Sequence, residues 1–205
     1  MIGRNVRDSQ SAFLIPACTE GGMKMDTGLL MLRIIVGLLL VGHGTRRLFG
    51  WFGGRGLAGT ARYFRSVGYW PPKTMASLAI TAEIVGGAFL AAGFMTPLAA
   101  AVVIAAMLNA VAIHWRNGLW AADNGFEYPV VMATVAATLA FTGAGSSSLD
   151  ARVGVGGASI EAGLFAVAIG LLAGAAVLVS RAAARSEGGP AWEPKPTRLP
   201  MELAA

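Results

Sequence analysis

The chain has 205 residues, of which 55% are hydrophobic and 13% charged, with a formal net charge of +5 and a mean hydropathy of +0.62. Its apolar residues come in long runs, which excludes an ordinary soluble globular domain and reads as an all-α, polytopic membrane protein. The basic excess sits in connections between the runs and is no nucleic-acid signal, while the single cysteine, Cys18, excludes an internal disulfide, a thiol pair and a cysteine-rich metal site.

Residues 1–27 mix Arg4, Arg7, Asp8, Glu20, Lys24 and Asp26 with an apolar patch too short for a signal-peptide core, and read as a disordered extension. Met23 or Met25 is an alternative start. Ile15-Pro16-Ala17-Cys18 is a weak match to a lipoprotein box, opposed by Pro16 and by the missing hydrophobic region. Four apolar segments follow, roughly Gly28 to Phe49, Thr74 to Met95, Leu98 to Trp115 and Tyr128 to Gly145. Each is predicted to span the bilayer as a helix, and together they predict a four-helix transmembrane bundle. A fifth run, roughly Ile160 to Val179, lacks a polar face and is predicted as a fifth, C-terminal transmembrane helix. The domain division expected is therefore 1–27 extension, 28–149 membrane domain, 150–182 linker and fifth helix, and 183–205 a proline-containing disordered tail.

The first connection holds Arg46, Arg47, Arg55, Arg62, Arg65 and Lys73, with no acidic residue between Asp26 and Glu83. Arg116, Arg181, Arg185, Lys195 and Arg198 fall on the same side, against Arg4, Arg7, Lys24 and Arg152 on the other. The positive-inside rule then places the first loop and the C-terminus in the cytoplasm, in a multi-pass plasma (inner) membrane protein. The same loop carries Phe49, Trp51, Phe52, Tyr63, Phe64, Tyr69 and Trp70, the aromatic chemistry of the headgroup zone. Ala58 to Val67 is predicted as a short helix, and the loop reads equally as an interfacial anchor or as a lid over a ligand.

Polar residues inside the spans are costly in hydrocarbon and are the functional candidates. Glu83 lies about 14 Å into segment two, with Gly86 and Gly87 along its face, so it points into the bundle; Arg33 is its expected partner. His43 precedes Arg46 by one turn, and His114 closes segment three beside Trp115. Asn109 is five residues before His114, about 140° around the helix, and does not point at the same atom. Glu127 opens segment four, where helix capping is a sufficient role for it. Counting helix ends puts both histidines, Arg46, Arg47, Asp123 and Glu127 near one membrane face. The histidines suit a proton path, hydrogen bonds to quinone carbonyls, or ligation of a haem from two helices. His43, Glu83, His114 and Glu127 are the candidate catalytic residues; Arg46, Arg47, Asn109 and Trp115 are the candidates for cofactor binding, and no metal site is expected.

His43-Gly44-Thr45-Arg46-Arg47-Leu48-Phe49-Gly50-Trp51-Phe52-Gly53-Gly54, then Gly56-Leu57-Ala58-Gly59-Thr60, Ala82-Glu83 with Gly86-Gly87, His114-Trp115-Arg116-Asn117-Gly118 and Phe126-Glu127-Tyr128-Pro129 closely resemble the DoxX family of bacterial integral membrane proteins. The resemblance covers roughly Asp26 to Asp150 and implies a four-helix membrane bundle associated with quinone-linked, sulfur-linked or oxidative-stress redox systems. Arg47 stands where the family motif usually has lysine, which keeps the charge and changes the hydrogen-bonding shape. Three function classes stay open: a membrane subunit of a redox system that holds a quinone head group, a non-catalytic scaffold recruiting soluble redox enzymes or another membrane subunit, and a small-molecule or proton transporter. The lipid bilayer is a partner in all three.

Overall fold

The computed structural model describes residues 7–155 and 159–186, all of them helix, turn or loop. Helix α1 spans Arg7–Phe49 and so begins inside the stretch expected as an extension. It is followed by α2 (Gly56–Ser66), α3 (Pro72–Ala92), α4 (Thr96–His114), α5 (Glu127–Thr142), the short α6 (Leu149–Val153) and α7 (Ile160–Ser186). The expected C-terminal tail lies outside the described residues beyond position 186.

Among the described residues, four helical stretches are long and apolar enough to cross a membrane: Met25–Phe49, Pro72–Ala92, Thr96–Asn117 and Ile160–Ser186. The C-terminal run is thus among the four, whereas α5 is shorter than expected. Its 16 residues rise only about 24 Å, against about 30 Å of hydrocarbon core. Gly143, at φ 73°, adopts a conformation L side chains resist and stops the helix after Thr142. The loop helix predicted over Ala58 to Val67 is present as α2.

Close approach of small residues sets the packing, as expected where lipid removes the hydrophobic drive between helices. A Cβ on Gly37 of α1 would stand 2.4 Å from the Gly87 carbonyl of α3, so these two helices meet backbone to backbone. Gly170 of α7 lies against Ala101 and Ile104 of α4, and Gly174 against Ala105 and Leu108, so the numbering rises together and the two helices run the same way. Helix α5 returns the chain between them. Leu40, Leu90, Val103, Met107, Met132, Ala136 and Leu139 fill the interior. Met31, Ile35 and Leu38 of α1 and Leu164, Phe165 and Leu172 of α7 point outward, the apolar surface that a multi-pass protein offers to lipid.

One end of the bundle is closed by a buried polar clamp. Asp150 accepts from the Met95 amide (2.7 Å), the Thr96 amide (2.9 Å) and the Thr96 hydroxyl (2.7 Å), satisfying donors that the start of α4 leaves unpaired. Beside it the Arg33 guanidinium, 1% exposed, donates to the carbonyls of Ala144 and Ser147. The other end carries the functional candidates.

Candidate functional site

At the end opposite Asp150, a cavity of about 820 Å³ opens between α1, α2, α4 and α5. Each wall brings different chemistry. The last two turns of α1 supply His43, Arg46 and Arg47; α2 lays Thr60, Tyr63 and Phe64 over the top; α4 contributes Met107 and His114; α5 opens with Tyr128 and Pro129. Glu83 of α3 lies at the bottom. The rim is exposed at Arg46, Arg55, Asn117 and Asn124, so the cavity faces the aqueous side of this bundle end.

Glu83 is 3% exposed, and its Oε1 accepts from Arg47 Nη1 at 2.8 Å. Its Oε2 is buried with no hydrogen-bond partner. The expected pairing with Arg33 is corrected: Arg33 belongs to the Asp150 end. Helix register explains why, because Glu83 packs at the level of Gly44, where a Cβ would be 3.3 Å from its own. Arg33 lies eleven positions earlier in α1, about 16 Å away along the axis. Arg47, less than one turn beyond Gly44, reaches back to the carboxylate instead.

The two histidines are held differently. His43 stacks on Tyr128, with ring centroids 5.6 Å apart and planes inclined by 26°. His114 Nδ1 lies 2.8 Å from the Asn124 carbonyl and is the donor there, which in the neutral ring makes Nε2 the acceptor. Asn117 Nδ2 donates to the same carbonyl at 3.0 Å, fixing the rim loop. Arg46, Arg47 and Arg55 line the cavity against one carboxylate, an excess of positive charge suited to a ligand rich in acceptor oxygen.

The family model described as DoxX matches residues 28–115, which contain four of the five elements around the cavity. Residues 28–115 belong to the DoxX family. A curated relative, "Putative oxidoreductase CatD" of Bacillus subtilis (strain 168), is 25% identical over 125 residues, covering 61% of this chain and 86% of the relative. No solved structure matches the chain. Within the DoxX segment lie His43, Arg46, Arg47, Glu83 and His114, five of the residues singled out from the sequence, and the fold brings all five to one cavity.

The fold does not bring the other three into the lining. Asn109 faces α7 from α4, where its Nδ2 donates to the carbonyls of Ala105 (3.0 Å) and Gly174 (3.1 Å) and its Oδ1 accepts from the Tyr69 hydroxyl (3.0 Å). Trp115, 65% exposed, stacks on Phe126 at 5.2 Å between centroids, outside the cavity. Glu127 begins α5, and its Oε2 accepts from the Ala121 amide at 2.9 Å, which ties down the connection before the helix. Tyr63 and Arg55, read from the sequence only as part of an anchor or lid, also line the cavity, as do Tyr128 and Thr60, which are not among the site candidates. Tyr128 adjoins Glu127, and attention to charge favoured the carboxylate over the ring beside it.

Proposed function

We propose that this DoxX protein is the membrane subunit of a quinone-linked redox system in the plasma (inner) membrane, with the cavity and the C-terminus facing the cytoplasm. The observation that carries this reading is the buried Glu83 Oε2, left without a partner at the bottom of a cavity whose other polar groups are cationic or neutral. A buried polar atom left unpaired costs free energy that a ligand's complementary group recovers. A quinone ring carries two carbonyl acceptors, to which Oε2 donates when it carries the proton, and its quinol two hydroxyls, which donate to Oε2 when it does not; Met107, Phe64 and the stacked His43–Tyr128 pair offer surface matching the flat apolar faces of the ring.

In this reading a quinone supplies an acceptor for two electrons and two protons, the electrons coming from a redox enzyme docked at the same face. Arg47 holds Glu83 in place through Oε1, which leaves Oε2 free to carry a proton toward a ring oxygen. Arg46 and Arg55 stabilise negative charge on that oxygen, and His114 Nε2 gives a second proton-accepting position at the rim. The name of the Bacillus relative agrees with redox chemistry in general and says nothing of the acceptor.

Binding of a water-soluble benzoquinone to purified protein in mild detergent tests the proposal. Wild type binds, and Glu83→Gln and His43→Ala each weaken binding by about tenfold, 1.4 kcal/mol, while the thermal transition persists. Unchanged affinity in both variants, or a haem band in the visible spectrum that disappears with His43 or His114, sinks the assignment.

A further inference from the structure

A second cavity, of about 240 Å³, lies on the flank of the bundle between α3, α4 and α7, and its chemistry is the reverse of the first. Its floor is largely alanine, including Ala79 of α3, Ala105 of α4 and Ala173 of α7. The two polar residues that touch it, Tyr69 and Asn109, are hydrogen-bonded to each other, and the Asn109 amide is spent on two carbonyls, so they hold one another rather than a ligand. The outer lip is formed by Leu78 and Leu98, which are 54% and 48% exposed on the apolar outside of the bundle. Such a groove takes hydrocarbon and opens toward lipid.

Phe64 of α2 lines both cavities. It is buried among Tyr69 and Ala76 and forms the partition between a polar, cationic chamber and an apolar groove. Two such spaces that share Phe64 in their linings fit one molecule with two ends. We propose that the ligand of the polar cavity is a membrane amphiphile whose hydrocarbon chain lies in the α3–α4–α7 groove, passing Phe64, so that it enters sideways from the bilayer rather than from water. The proposal rests on the quinone reading for the head group and goes beyond it in naming the chain and its path. One wall of the groove is α7, which lies outside the DoxX segment, so the chain's own C-terminal helix selects for the tail.

Affinities of purified protein for two ligands with one head group, a tail-less benzoquinone and its isoprenyl-chain counterpart, provide the test. Wild type binds the chain-bearing form at least tenfold more tightly. Ala173→Phe, at an exposed position where a larger ring is tolerated, abolishes that preference and leaves tail-less binding unchanged. Ala79→Leu fills the same groove from α3 and does the same if the first variant folds poorly. Equal loss of both ligands in a folded variant, or no preference in wild type, overturns the proposal. If wild type binds neither ligand, the quinone reading has failed, and mass spectrometry of co-purified amphiphiles decides this one: a chain-bearing species present in wild type and lost in Ala173→Phe supports it, and an unchanged profile overturns it.

Discussion

Tyr69 donates to Asn109 of α4, Asn109 donates to Gly174 of α7, and the Arg181 guanidinium lies 4.8 Å from the centre of the Tyr69 ring. One phenol thus ties the loop after α2 to two helices. Tyr69→Phe removes the donor and leaves the Asn109 oxygen unpaired; a loss of about 1–2 kcal/mol is expected in thermal or denaturant unfolding of the detergent-solubilised protein. Burial pushes the Tyr69 phenol above its ordinary value, against the opposing pull of Arg181. A group whose folded value is raised contributes stability that is complete below the unfolded value, about 10 for a phenol, and lost as pH rises through the higher folded value. The advantage of wild type over Tyr69→Phe should therefore shrink only above about pH 10. At this scale the sequence marks Asn109 as a polar residue within a span but hides its role, because the groups that occupy it come from a loop forty residues back and a helix sixty-five residues on. Glu83 is legible as inward-facing from Gly86 and Gly87, yet its partner depends on helix register, which single-chain periodicity does not carry.

Helix α7 attaches to the rest of the bundle along Gly163, Gly170 and Gly174, all buried on one face. A Cβ on Gly170 would meet the Ala101 carbonyl at 2.8 Å and the Ile104 side chain at 2.8 Å, and neither can withdraw without moving α4. Gly170→Leu is expected to lower the melting temperature by several degrees and to open α7 to proteolysis, while Gly42→Ala, with nothing within 4 Å, leaves both unchanged. Limited proteolysis with thermal scanning of the two variants checks this. The run from Ile160 onward is legible as a span because it is apolar throughout. The brevity of α5 is less legible: hydropathy alone carries the run to about Gly145, whereas Gly143 at positive φ ends the helix after Thr142. Three threonines of α5, Thr134, Thr138 and Thr142, return their hydroxyls to carbonyls one turn back, which lets an exposed polar stripe face an apolar surround.

Across the whole molecule the cavity loop and the end of α7 share one face: Arg181 Nε and Arg185 Nη2 both donate to the Val67 carbonyl, at 2.8 and 2.6 Å. The segment from Ser146 to Val153 occupies the other. In a Cys18→Ser background, cysteines placed at Arg62 and Ser186 should react with a membrane-impermeant maleimide only from the cytoplasmic side, and one at Val153 only from the opposite side; labelling of intact and opened cells reads the difference. That these loops share one face is legible in the sequence by counting helix ends, whereas the convergence of five residues on one cavity needs the fold. Below Glu83 the cavity ends where Leu40, Leu90 and Leu139, each 0% exposed, and the Gly37–Gly87 contact fill the centre of the bundle. A chamber with an aqueous mouth on one side and a dry plug on the other has no route through. In the quinone reading proposed above, any proton that Glu83 exchanges with water therefore returns to the face it came from, and the proposed chemistry moves no charge across the membrane's electrical insulation.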